Sequence, residues 1–208
     1  METSWASENL QTIRTLMERT ALYRRALAPI MIVTGSIGLA ASVVPLFVPI
    51  HGNRGFSLFW MGVSLIALVA AFVLVRRQAL KEAEPFWSPP TRRVAAALKP
   101  GLLIGCAAGI GVAVSGEKLG PAASLLALLW IGVYGCALHA AGFFMQLGIR
   151  LFGFSLVIAG TLAFAASILS GKLPSTEAAH YFMGVFFGLG HLAYGIYLSF
   201  TEKRRNAT

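Results

Sequence analysis

Four side chains combine a chemistry-bearing type with a place inside a long apolar run: His139, His191, Cys106 and Cys136. Imidazole ligates haem iron, so His139 and His191 on facing helices would suit a b-type haem held between two axial nitrogens. Glycines stand beside both, Gly132, Gly135 and Gly142 in one run and Gly184, Gly188, Gly190 and Gly195 in the other. Small residues of this kind would leave room for a macrocycle. Cys136 precedes His139 by three residues and shares its helix face. Together with Cys106 and His191 these two form a thiolate–imidazole set of the type that holds Zn²⁺ or Cu(I). A third chemistry is a substrate path, with the histidines as proton relay or hydrogen-bond partners. Beside all three stands a plainer reading, in which each imidazole bonds a tyrosine, a serine or a backbone carbonyl across a helix interface. No nucleophile–base pair, HExxH motif or paired carboxylate occurs, so enzyme chemistry has little to stand on.

The elements that must position these residues follow from composition. Hydrophobic residues make up 57% of the 208, charged residues 12%, and mean hydropathy is +0.73. A soluble domain carries about a quarter charged residues, because its surface must be polar. The lipid bilayer is therefore the expected solvent and first partner. A helix crosses roughly 30 Å of hydrocarbon with about 20 apolar residues. Six such runs are present, at 27–50, 56–75, 94–114, 121–146, 151–170 and 179–200. The expected fold is all-α: a polytopic six-helix transmembrane domain over 27–200, with a basic tail at 201–208. In the leading segment 1–26, Leu10, Ile13, Leu16, Met17 and Ala21 recur at helical spacing away from Arg14, Glu18 and Arg19. That pattern predicts an N-terminal interfacial amphipathic helix over 8–25. The segment carries four arginines and no leading apolar core, so no cleaved leader is expected.

The net charge of +9 raises the question of a nucleic-acid partner. Its placement answers differently, since the basic residues lie between apolar runs. Fourteen Lys and Arg fall on one side of the predicted spans and three, Arg54, Lys118 and Lys172, on the other. The positive-inside bias then places both termini in the cytosol, and a bacterial host would make this the inner membrane. His51 and His180 fall near the outer surface and are expected to be solvated. Glu117-Lys118 and Lys172 to Glu177 read as short external loops.

A local phrase recurs in the even-numbered runs: Phe59-Trp60-Met61-Gly62-Val63, Leu129-Trp130-Ile131-Gly132-Val133 and Tyr181-Phe182-Met183-Gly184-Val185. It suggests three helical hairpins in pseudo-repeat, a construction common in transporters. Six residues beyond the shared valine stand Val69, His139 and His191, so the two histidines would occupy equivalent depths. Gly101, Gly105 and Gly109 are spaced by four, as are Gly184 and Gly188, the pattern of close helix approach. Three functions compete: non-enzymatic binding or transport of a small neutral or apolar molecule, a haem- or metal-binding electron-transfer or sensor subunit, and a structural accessory subunit with a membrane partner or a second copy of itself. A water-accessible path would favour the first. Histidine nitrogens aimed at one atom would favour the second, and a solid core the third.

Overall fold

The computed structural model describes residues 26–83 and 85–206, with side chains as far as residue 201. The amphipathic helix expected over 8–25 lies outside the described residues, as do the side chains of the basic tail. Six helices among those described are long and apolar enough to cross a membrane. They are α1 (Ala26–Leu46), α2 (Gly52–Lys81), α3 (Pro89–Ser115), α4 (Ala122–Gly142), α5 (Leu147–Ser170) and α6. The last runs continuously through Thr176–Met183, a π-helical stretch at Gly184–Leu189 and Gly190–Asn206. No strand occurs among the described residues.

Hydropathy placed the spans but not their ends. α2 begins at Gly52 and continues through Arg76 and Arg77 to Lys81, because a helix does not stop where hydrocarbon stops. α3 starts on Pro89 and Pro90, whose missing amides cost nothing in a first turn. Ser88 and Thr91 pair there through their hydroxyls at 2.9 Å. Pro100 lies inside α3, and the helix continues through it. Ser175 caps α6, its hydroxyl accepting the Ala178 amide at 3.1 Å, which puts Glu177 in a helical first turn and not in a loop.

Glycine sets how the helices meet. A Cβ on Gly188 would lie 2.7 Å from the Leu39 nitrogen, and one on Gly195 2.7 Å from that of Ile32. Gly184 faces Ser42 and Gly35 faces Leu192, so α1 and α6 run antiparallel with their backbones in contact. α4 and α5 are joined likewise: a Cβ on Gly135 would lie 2.8 Å from the Gly153 carbonyl, and one on Gly142 would strike Arg150. Gly101 meets Ala137, and Gly105 accepts the Trp130 indole N–H at 2.8 Å, closing α3 on α4. In lipid, where apolar side chains gain little by leaving solvent, such close approach supplies the dispersion and hydrogen bonding that hold helices together. α4 is the central helix, with half of its most apolar stretch buried, whereas α2 has 6%. α2, α4 and α6 start on one face of the bundle; the opposite face carries Arg76, Arg77, Arg92 and Arg93.

Gly188→Ala should destabilise the protein by about 1–3 kcal/mol, because the new methyl meets backbone that cannot give way. Gly111, with open space around it, should accept alanine with a gain of up to about 1 kcal/mol from helix propensity. Thermal unfolding of both variants in detergent measures the difference.

Candidate functional site

His191 is 2% exposed and has no spare nitrogen. Its Nδ1 stands 3.2 Å from the Phe186 carbonyl and its Nε2 2.9 Å from the Tyr134 hydroxyl. A carbonyl only accepts, so Nδ1 carries the proton and Nε2 accepts from Tyr134. The bond to Phe186 reaches back five residues, across the π-helical stretch. One extra residue in that turn rotates everything after it by about 100°. The ring is enclosed by Phe152, edge-on at 5.0 Å, and Phe187, stacked at 6.1 Å.

His139 is half-buried on α4. Its Nδ1 donates to the Arg150 carbonyl at 3.0 Å, and its ring meets Phe143 and Phe154. Arg150 in turn lies over the Phe143 ring at 4.9 Å. Tyr134 and His139, five residues apart, point about 140° away from each other around α4. Phe152, against His191, and Phe154, against His139, diverge by about 160° on α5. The two histidines therefore sit on opposite sides of the glycine-closed α4–α5 seam, and equal spacing from the shared phrase does not give them equal surroundings.

This arrangement does not fit a haem between His139 and His191. One imidazole is committed at both nitrogens, and the seam separating them is in backbone contact. Cys106 and Cys136 are both exposed on the outer surface of the bundle. Among the described residues, no three His, Cys, Asp or Glu side chains group closely enough to hold a metal ion. Cys106, Cys136, His139 and His191 are thus not brought together, and no relay joins the two histidines, since among the described residues the one side chain His191 bonds is Tyr134.

The densest polar construction lies elsewhere, at the face where α2, α4 and α6 begin. His180, expected in water, is 3% exposed. The early start of α6 turns it inward, where its Nδ1 accepts the Trp60 indole N–H at 2.9 Å. Its Nε2 faces the Ile50 carbonyl at 3.4 Å, and Phe56 meets its ring edge-on at 4.9 Å. The indole nitrogen only donates, so this imidazole carries its proton on Nε2, the opposite tautomer to His191.

Asn53 is buried and fully satisfied. Its Nδ2 donates to the Gly116 and Gly120 carbonyls at 3.0 and 2.6 Å, its Oδ1 accepts the Ala123 amide at 2.8 Å, and its own amide donates to Glu117 Oε1 at 2.8 Å. Glu117 is therefore part of a clasp that ties α2 to the α3–α4 turn. Ser57, one turn deeper, donates to the Gly109 carbonyl at 2.7 Å. Spacing gave no warning of this group, because Asn53 and its partners lie more than 60 residues apart. A hint lay in the asparagine itself, which lacks any local partner at a helix start.

Beside the clasp an apolar groove of about 350 Å³ runs between α2 and α3. Arg54, Leu58 and Met61 line one side and Ile110, Ala113 and Val114 the other, each set at helical spacing. Met61 against Gly109 closes its deep end. No family model, curated protein or solved structure matches the chain.

Asn53→Ala strands the buried Ala123 amide and should cost about 1–3 kcal/mol. Tyr194→Phe should act in reverse. The Tyr194 hydroxyl is buried without a hydrogen-bond partner while its ring stacks on Phe152 at 5.3 Å. Removing only the oxygen should raise stability by about 1 kcal/mol or more. Chemical denaturation in mixed detergent reports both signs.

Proposed function

We propose that this protein is a non-enzymatic membrane protein that binds a small apolar molecule from the bilayer, and that the α2–α3 groove is its binding site. The observation that carries this reading is the groove itself, open at the outer surface of the bundle and walled by Leu58, Met61, Ile110, Ala113 and Val114. What surrounds it adds support. His180 with Trp60, His191 with Tyr134 and Asn53 with the α3–α4 turn are engaged within the bundle, which argues for binding at its edge over passage through its centre. A pocket lined by apolar side chains with one polar group at its mouth is the ordinary form of a site for such ligands.

A second reading, an accessory subunit seated against another membrane protein, is favoured by the low burial of α2. Mass measurement in nanodiscs prepared without crosslinker separates it, since that reading expects a co-purifying subunit.

The test of the first reading is photolabelling in membranes with a diazirine-bearing long-chain alcohol. Adducts should fall on the peptides covering Arg54 to Met61 and Ile110 to Val114, and Leu58→Trp, which fills the groove, should reduce them several-fold. Labelling spread evenly over all six helices, unchanged in Leu58→Trp, would overturn it.

A further inference from the structure

We infer that the occupant of the α2–α3 groove is an anionic phospholipid, the first carbons of one acyl chain lying in the groove and its phosphate on Arg54. This rests on the groove reading above and narrows it to a ligand class. Arg54 is the third residue of α2, at the end of a span and hence at headgroup depth. It lines the groove at the mouth, one helical turn above Leu58 and two above Met61, so charge and apolar wall lie on a single stripe. A lipid with a negative head and an apolar tail has that same sequence of chemistries.

The neighbouring charges leave Arg54 free for this task. No ion pair engages it among the described residues. Glu117, the nearest acid by fold, has Oε1 bound to the Asn53 amide. The Asn53 clasp also fixes the turn carrying Lys118 beside the start of α2, adding a second cation at the same end. Guanidinium grips phosphate with paired donors, which ammonium and imidazole do not. The tail half of the site is made by subtraction: Ala113 keeps α3 narrow, while Leu58, Ile110 and Val114, the last 82% exposed, stand as its rims.

The experiment is native mass spectrometry of the full chain released from nanodiscs of equal phosphatidylethanolamine and phosphatidylglycerol, comparing wild type, Arg54→Gln, Arg54→Lys and Leu58→Trp. The expected result is one phosphatidylglycerol retained per chain in wild type and a several-fold loss of that preference in Arg54→Gln, with partial retention in Arg54→Lys. Leu58→Trp should lose bound lipid of both kinds. Retention of either lipid without preference, unchanged by Arg54→Gln but abolished by Leu58→Trp, would overturn the anionic assignment and leave the apolar groove standing. Retention unaffected by Leu58→Trp would overturn both. Displacement of phosphatidylglycerol by millimolar inorganic phosphate would show that the site reads a free anion, and would also overturn the lipid assignment.

Discussion

Hydrocarbon offers a buried imidazole, amide or hydroxyl nothing to bond to, and each such group left alone costs several kcal/mol. The rest of this structure depends on how that constraint is met. Trp60 and Ile50 complete His180, Tyr134 and Phe186 complete His191, and Asn53 is complete on every polar atom. The His191–Phe186 bond lies within α6; the other pairings link different elements, so they also set the position of one helix against another. Polar groups here act as rivets between helices more than as reagents.

Glycine makes those pairings reachable. The α1–α6 and α4–α5 seams bring backbones close enough for side chains of modest length to cross from one helix to the next. The π-helical stretch belongs to the same construction. It lies where α6 presses on α1 through Gly184 and Gly188, and it leaves the Phe186 carbonyl to receive His191. α2 takes little part in these seams. It is fastened at one end by Asn53, Ser57 and Trp60 and lies open over the rest of its length, which is why the groove forms along it.

The six spans were legible in the sequence because a bilayer imposes one strong rule, about twenty apolar residues per crossing. The glycine spacings at 101, 105 and 109 and at 184 and 188 also announced close helix contact, and the contacts are there. The surroundings of the histidines were not legible. His180 looked like a surface residue because it falls at the outer end of the 179–200 run, and the capped start of α6 at Ser175 turns it towards Trp60. His139 and His191 looked equivalent because spacing counts residues, whereas facing depends on helical turn, and a π turn shifts it. The plainer reading, imidazoles bonded across interfaces, matches the geometry of both. Asn53 escaped notice because its partners come from a loop far along the chain, and no local pattern encodes that meeting.

His180, His191 and Asn53 are bound at every polar side-chain atom within the protein, which leaves neither imidazole open to a cofactor or a relay. Nitrogen-15 spectra of histidine-labelled protein in lipid bilayers at neutral pH test it most directly. The expected result is two neutral, slowly exchanging imidazoles of opposite tautomer, His180 protonated on Nε2 and His191 on Nδ1, both unmoved by added haem or Zn²⁺. Mixed tautomers, an imidazolium at either position or a signal displaced by haem or metal would contradict it.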